Sequence, residues 1–112
     1  MNVVDFQPRS EGPICDSIRG RFLLAIDYAD SERVIEPYGH GLNADGAALL
    51  RAYQRVGPNR PEDSTGWRLF RIDKIRHCRM LADRFDGRRD DFNYRDPDIP
   101  RVHCQVAAVR GT

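Results

Sequence analysis

The residues best suited to chemistry in this chain are its arginines. The sequence has 18 basic residues, and Lys74 is its only lysine. A guanidinium group carries a rigid fork of donors that suits phosphates and carboxylates, and it stacks on flat rings. A high-GC genome would produce the same excess of arginine, so the bias alone does not identify a function. Because 17 acidic residues leave a formal net charge of only +1, bulk charge does not predict nucleic-acid binding either.

One arginine is distinguished by its position in a predicted strand, Trp67–Ile72. Alternation places Arg68 on the same face as Phe70 and Ile72, which we expect to be the core face. A half-buried guanidinium needs an anion or a carbonyl cluster to offset its desolvation. We therefore predict that Arg68 binds a phosphate or carboxylate of a ligand, with help from Lys74. The alternative is an internal ion pair with one of three carboxylates: Asp73, Glu36 or Asp27.

Four further side chains are predicted on the outward faces of two strands. Arg71 and Trp67 share one face of the predicted fourth strand, and Arg51 and Tyr53 share a face of the third. Arginines next to aromatic rings form a platform that pairs with the phosphates and stacks on the bases of single-stranded nucleic acid. The alternative is a solvated face, on which these arginines pair with the many carboxylates of the chain.

The histidines, cysteines and clustered carboxylates predict no metal site, no cofactor and no enzyme. In the pairs His77–Cys78 and His103–Cys104, neighbouring side chains on a strand point to opposite faces and do not reach one zinc ion. His40 lies in a glycine-rich turn without an assignable nucleophile. The carboxylates over residues 90–98 have no histidine or phosphate cradle nearby, and we interpret them as a solvated charge run.

Length and composition predict one small globular domain. The chain has 112 residues, of which 40% are hydrophobic and 31% charged, a balance typical of globular proteins. No apolar run approaches the roughly 20 residues of a membrane span, and the N-terminus has no signal-peptide core. We therefore expect a cytoplasmic protein without membrane contact. The odd number of cysteines, three, fits that reducing compartment and argues against a disulfide scaffold.

The predicted elements form a mostly β fold. An extended lead-in over residues 1–13 is followed by a short predicted helix near Asp16–Arg21. Strands follow the helix, and they are separated by turns, by a glycine-rich reversal and by a long polar loop over residues 56–66. The predicted strands are Phe22–Tyr28, Arg33–Tyr38, Ala47–Gln54, Trp67–Ile72 and Arg76–Ala82. Pro37 indicates an edge or a bulge in the second strand. Five short strands are too few for a sandwich and favour a small, strongly bent barrel over residues 14–85.

The C-terminal extension, residues 86–112, differs from the barrel in composition. Its first part is dominated by charge, with Phe92 and Tyr94 interspersed, and Val102–Val109 has the composition of a last strand. Three arrangements are open for this extension. It wraps the barrel, docks on a partner, or stays loose.

Three stretches carry a family signature when they are taken in chain order. They are Arg33–Tyr38, Gly46–Tyr53 and Arg68–Ile75, and the last is similar to the pattern Arg-x-Phe-Arg-x-Asp-Arg-Ile. Together they resemble the WYL domain family of bacterial regulators, over about residues 14–85. The resemblance implies an Sm-like, SH3-type β-barrel that senses a ligand, with nucleic acids or nucleotides as proposed ligands. The Trp-Tyr-Leu tripeptide of the family falls on Ala48–Leu50, where only Leu50 is kept.

The combined expectation is a stand-alone WYL-like sensor or binding module in transcription control or defence. Arg68 and Lys74 form its anion pocket, and the surrounding surface for single-stranded nucleic acid or a nucleotide comprises Arg51, Arg71, Tyr53 and Trp67. No helix-turn-helix is expected, because only about twenty residues precede the first predicted strand. The alternative is a protein-interaction or oligomerisation module, in which the extension docks on a protein partner or on a second copy of the chain.

Overall fold

A computed structural model describes residues 4–6, 11–56 and 65–108 of the chain. Most of the predicted polar loop (residues 57–64), parts of the predicted lead-in (residues 1–3 and 7–10) and the end of the predicted last strand (Val109) lie outside these described residues. Among the residues described, no helix is long and apolar enough to cross a membrane.

The prediction of a mostly β fold with one short helix is confirmed. The elements are β1 (Val4–Phe6), α1 (Glu11–Gly20), β2 (Phe22–Tyr28), β3 (Ser31–Leu42), β4 (Ala48–Val56), β5 (Gly66–Arg71), β6 (Ile75–Arg84) and β7 (Arg101–Gln105). The tight turn predicted between the fourth and fifth strands is a single 3-10 turn, Ile72–Lys74. The helix is longer than predicted, since it begins before Pro13, a residue tolerated in the first helical turn because no helical hydrogen bond requires its missing N–H.

The strands form one antiparallel sheet in the order β1–β6–β2–β3–β4–β5, with β7 paired to the second half of β3. The β2–β3 hairpin turns through Ala29 and Asp30, whose φ angles of 51° and 62° are those of a tight two-residue turn. The bulge that Pro37 indicated is present, because the β3–β4 register shifts between Pro37 and Gly39.

The predicted reversal over residues 39–46 is wrong in its first half. Gly39 and Gly41 continue β3, and the chain turns only after Leu42. There the Asn43 side chain accepts hydrogen bonds from the backbone N–H groups of Asp45 and Ala47. Gly41 is needed for close approach rather than for a turn, since a Cβ at this position would collide with the carbonyl oxygen of Arg101 on β7.

The sheet curls so that its far strand returns towards β2 without closing by strand pairing. The Tyr28 ring of β2 packs edge-on against Phe70 of β5, with ring centroids 4.9 Å apart. Its hydroxyl oxygen accepts the backbone N–H of Arg71 at 3.2 Å. The curl encloses the core, which α1 covers with Ile14 and Ile18.

The outer face of the sheet is covered by residues 85–99, called here the covering segment. Phe85, Phe92 and Ile99 in this segment are buried at 5%, 7% and 3% exposure. Tyr38 of β3 lies fully buried beneath it, with ring centroids 5.4 Å from Phe85 and 5.0 Å from Phe92. Of the three arrangements left open by the sequence, the described residues 86–108 of the extension therefore adopt the first and wrap their own sheet.

The expectation of free cysteines is wrong for two of the three. Cys15 of α1 and Cys104 of β7 form a disulfide that spans 89 residues of sequence. Cys78 of β6 is a free, buried thiol. The reason for the error is spatial, because β7 pairs with β3 next to the helix and so brings together two cysteines that have no framework spacing along the chain.

Candidate ligand-binding site

Three of the six residues predicted to bind a ligand converge on the outer face of β4 and β5. Tyr53 is directly opposite Trp67 in the β4–β5 register, and their rings meet edge-on with centroids 5.5 Å apart. Arg51 lies two residues before Tyr53 and shares its face by alternation. The predicted arginine–aromatic platform therefore exists as a spatial cluster, although it is neither open nor simply solvated.

The covering segment occupies the Arg51 end of this platform. The Arg51 Nε donates to Asp96 Oδ2 at 2.7 Å, and Nη2 donates to Asp96 Oδ1 at 3.2 Å and to Asp98 Oδ2 at 2.8 Å. The hydrogen bonding of Arg51 to the Asp96 carboxylate is the main cause that raises the pKa of Arg51. Burial raises the pKa of Asp96, but the hydrogen bonds from Arg51 and from the Asp98 backbone outweigh it and lower that pKa overall.

The aromatic end of the platform is occupied as well. Phe92 stacks on Trp67, with centroids 5.8 Å apart and an interplanar angle of 27°. The Arg89 guanidinium lies over the Tyr53 ring, 3.4 Å from its centroid, in cation–π geometry. In the part of the chain that the structure describes, the buried indole Nε1–H of Trp67 has no hydrogen-bond acceptor.

The predicted anion pocket of Arg68 and Lys74 is spread along β5. Arg68 is half-buried opposite Ala52, and its Nη1 donates to the carbonyl oxygen of Trp67 at 3.0 Å. Lys74 is exposed in the 3-10 turn that follows the strand, so the two cations lie towards opposite ends of β5. Phe70 and Ile72, predicted to share the face of Arg68, are both buried.

The sixth predicted residue, Arg71, is exposed and paired within its own turn. Its guanidinium makes two hydrogen bonds to the Asp73 carboxylate, at 3.2 and 3.1 Å. This bonding raises the pKa of Arg71 and lowers the pKa of Asp73. The pair is fully solvated, so its contribution to stability is small.

A second cluster of arginines, which the sequence did not indicate, surrounds a buried carboxylate on β3. Glu36 is only 2% exposed, and its oxygens accept from Arg55 Nε at 2.7 Å and from Arg89 Nε and Nη2 at 3.0 and 3.1 Å. The bonding to Glu36 raises the pKa of Arg89. The backbone N–H of Arg89 also donates to the Tyr38 hydroxyl at 3.2 Å. Both the backbone and the side chain of Arg89 are therefore held in place.

These groups form one wall of an open cavity of about 560 Å³, called here the arginine cavity. Four guanidinium groups line it: those of Arg55, Arg84, Arg88 and Arg89. Glu36 and Phe85 are its buried lining residues, and the exposed carboxylates Asp86, Asp90 and Asp91 complete the lining. Among the described residues, neither Arg84 nor Arg88 makes a side-chain ion pair. Arg84 instead lies over the Phe22 ring, 4.5 Å from its centroid.

An adjoining cavity of about 300 Å³ adds an aromatic surface to the arginine cavity. The two cavities share Arg88, Arg89 and Asp90, and the smaller one is also lined by Tyr94 and by the small residues Gly87 and Ala108. The Tyr94 side chain is available to solvent, since 38% of the residue is exposed. Two arginines and a partly exposed tyrosine, whose ring also meets Phe92 edge-on with centroids 4.7 Å apart, therefore lie side by side on the surface.

The histidine–cysteine pairs have different surroundings. Cys78 is buried, and desolvation raises the pKa of its thiol to about 12, so the thiol stays protonated at neutral pH. Cys104 is in the disulfide, while His77 and His103 are exposed. His40 is buried, with its Nδ1 2.9 Å from the carbonyl oxygen of Leu49. The described residues contain no group of three or more side chains placed to bind a metal ion.

No family model, curated protein or solved structure shows significant similarity to this chain. The resemblance to the WYL family therefore stays a prediction that rests on the three motif stretches.

Proposed function

We propose that this chain is a ligand-binding module for a phosphate-bearing ligand, a nucleotide or a short stretch of single-stranded nucleic acid. The observation that carries the proposal is the arginine cavity, where four arginines line one open space. Two of them, Arg84 and Arg88, have no side-chain ion pair among the described residues. These two supply the donors for the phosphate group.

The chemistry of the cavity favours phosphate over a small monovalent anion. A guanidinium presents paired N–H donors whose spacing matches two oxygens of one phosphate. Four carboxylates also line the cavity, so bulk charge does not attract the ligand and recognition depends on directed hydrogen bonds. Glu36 contributes by holding Arg55 and Arg89 in place, which lowers the entropy cost of ordering that wall.

The adjoining cavity favours a ligand that also carries a flat ring. Tyr94 is 38% exposed and lines this cavity together with Arg88, and base–aromatic stacking is worth roughly 1–3 kcal/mol per base. A nucleotide with its phosphate at Arg84 and Arg88 places its base over Tyr94. The ring and the anion of the ligand then contact one continuous surface.

The architecture supports the same class of function. A helix followed by five antiparallel strands, curled so that β5 returns to β2, suits a small Sm-like, SH3-type barrel of the WYL kind. In this proposal the chain is the sensing part of a bacterial regulator in transcription control or defence. Its site lies at the arginine cavity rather than at Arg68 and Lys74.

The proposal is tested by fluorescence anisotropy with two probes, a labelled ATP analogue and a labelled short oligothymidylate. Replacing Arg84 and Arg88 by alanine should weaken binding about tenfold for each arginine, since a hydrogen bond to a charged group contributes roughly 1.5–3 kcal/mol. The matched control replaces Arg95 and Arg101, which are exposed and line neither cavity. It removes the same charge and should change affinity little.

Two further results bear on the same proposal. The salt dependence of oligothymidylate binding should lose about one unit of log–log slope for each arginine removed. Loss of binding in Arg68→Ala, with Arg84→Ala/Arg88→Ala unaffected, would move the site to β5 and contradict the proposal. Absence of binding to either probe by the folded wild-type chain would contradict it outright and favour a protein partner.

A further inference from the structure

Arg51 and Trp67 receive from the covering segment the two kinds of contact that a nucleotide makes. The carboxylate oxygens of Asp96 and Asp98 accept hydrogen bonds from the Arg51 guanidinium at 2.7 to 3.2 Å. Phosphate oxygens would bind at the same positions. Phe92 stacks on Trp67 in nearly parallel geometry, as a base would. The segment thus supplies an anion and a flat ring to a face whose side chains suit a nucleotide.

The covering segment is attached to this face mainly by side chains. The backbone N–H groups of Phe92 and Ile99 bond to carbonyls within the segment, those of Arg89 and Asp96, respectively. Three further turns are closed by the segment's own side chains: those of Asp86, Asn93 and Asp96. In the described part of the chain, no strand hydrogen bond joins residues 86–98 to the sheet. Releasing residues 92–98 breaks mainly side-chain contacts, and it leaves intact the sheet and the bonds of Arg89 to Glu36 and Tyr38.

The covered state also leaves one polar group unsatisfied. The Trp67 Nε1–H is buried without an acceptor among the described residues. A buried donor without a partner is unfavourable, whereas water or a base acceptor would satisfy it once the face is open. A cavity of about 250 Å³ between Trp67, Arg51 and the covering segment shows that packing at this junction is incomplete. Both features lower the cost of releasing the segment at this point.

We propose that Arg51 and Trp67 form a second nucleotide subsite, which the covering segment occupies as an internal mimic of single-stranded nucleic acid. The inference rests on the proposed function and extends it. A mononucleotide binds at Arg84, Arg88 and Tyr94 and leaves the segment in place. A longer oligonucleotide keeps a phosphate at Arg84 and Arg88 and gives up the stacking on Tyr94. It reaches Arg51, replaces Asp96 and Asp98 by phosphates, and stacks a base on Trp67 in place of Phe92. The length of the oligonucleotide therefore decides whether the segment is displaced.

The test weakens the mimic without touching the sheet. In the variant Asp96→Asn/Asp98→Asn, the Arg51 fork loses its charged partners while the side-chain shapes are kept. The affinity for a short oligothymidylate should rise about tenfold relative to wild type, the change expected when a competing charge-assisted contact is lost. The affinity for ATP should stay the same. The matched control, Asp16→Asn/Asp45→Asn, removes two exposed carboxylates elsewhere and accounts for the change in net charge.

Trp67 gives a readout that is independent of ligand binding, because it is the only tryptophan in the chain. Quenching of its fluorescence by acrylamide should increase in Asp96→Asn/Asp98→Asn and stay at the wild-type level in the control. Equal oligothymidylate affinity in the two double variants, with ATP still bound, would overturn the subsite and leave the proposed function standing. Binding of neither probe would overturn both.

Hydrogen–deuterium exchange on the unmodified chain provides a measurement that needs no variant to fold. The oligothymidylate should accelerate amide exchange over residues 92–98, and ATP should not. Slower exchange over these residues with both ligands would show that the segment stays in place, and would refute displacement.

Discussion

The disulfide between Cys15 and Cys104 leads to a stability prediction whose size follows from its position. A crosslink that closes a loop of 89 residues lowers the entropy of the unfolded chain, which corresponds to about 4.6 kcal/mol at 25 °C in the loop-closure model. For a chain of 112 residues, that free energy corresponds to a change of about 20 °C in Tm. The variant Cys15→Ser/Cys104→Ser should therefore unfold far more readily than the oxidised wild type.

The assay is urea and thermal unfolding followed by Trp67 fluorescence, with and without dithiothreitol. Reduced wild type should unfold like the double variant, and the double variant should not respond to the reductant. Thiol titration of the oxidised chain in denaturant should find one reactive group, Cys78. Three titratable thiols, or a reductant effect below about 1 kcal/mol, would refute the reasoning from loop closure.

Three other predictions concern the covering segment and the core. Phe92→Ala should lower the free energy of unfolding by about 3 kcal/mol and shift Trp67 emission to the red, as measured by urea unfolding and emission spectra. The folded state lowers the pKa of Asp96, so its stabilising contribution is complete above the ordinary value of 3.8 and is lost as pH falls below it. An acid titration of Trp67 fluorescence should show this phase in wild type and not in Asp96→Asn. Cys78, with a pKa of about 12, should resist iodoacetamide at neutral pH until the chain unfolds.

The strands could be predicted because their signal is local. β2 has the predicted bounds, Phe22–Tyr28, since its apolar run is flanked by polar residues and ends in a tight turn. Alternation along β4 correctly placed Leu50 and Ala52 in the core and Arg51 with Tyr53 on the outer face. The same argument brought three predicted ligand-binding residues to one surface.

The errors arose where a distant segment decides the structure. Gly39 and Gly41 have the composition of a turn, but β7 pairs alongside them, and its close approach requires glycine at position 41. The disulfide depends on the same approach, which no cysteine spacing could indicate. Leu49 lies by alternation on the outer face with Arg51, yet it is only 5% exposed. Alternation along a strand predicts on which side of the sheet a side chain lies, but it does not predict which segment covers that side.

The arginine cavity was missed because its parts come from three separated segments. Glu36 is on β3, Arg55 is on β4, and Arg84, Arg88 and Arg89 lie at the end of β6 and after it. A usable signal existed in Glu36, a carboxylate in an apolar strand, because a buried carboxylate needs cationic partners. The sequence could have predicted that arginines lie nearby, but not which ones.

The central claim is that Arg84 and Arg88 bind the phosphate of a nucleotide, and side-chain NMR tests it most directly. The measurement follows the Nε–Hε signals of the arginines while ATP is added to the labelled chain. We predict saturable shifts at Arg84 and Arg88, with Arg95 and Arg101 unaffected. Shifts confined to Arg68 and Arg71, or no saturable shift at any arginine of the folded chain, would contradict the account.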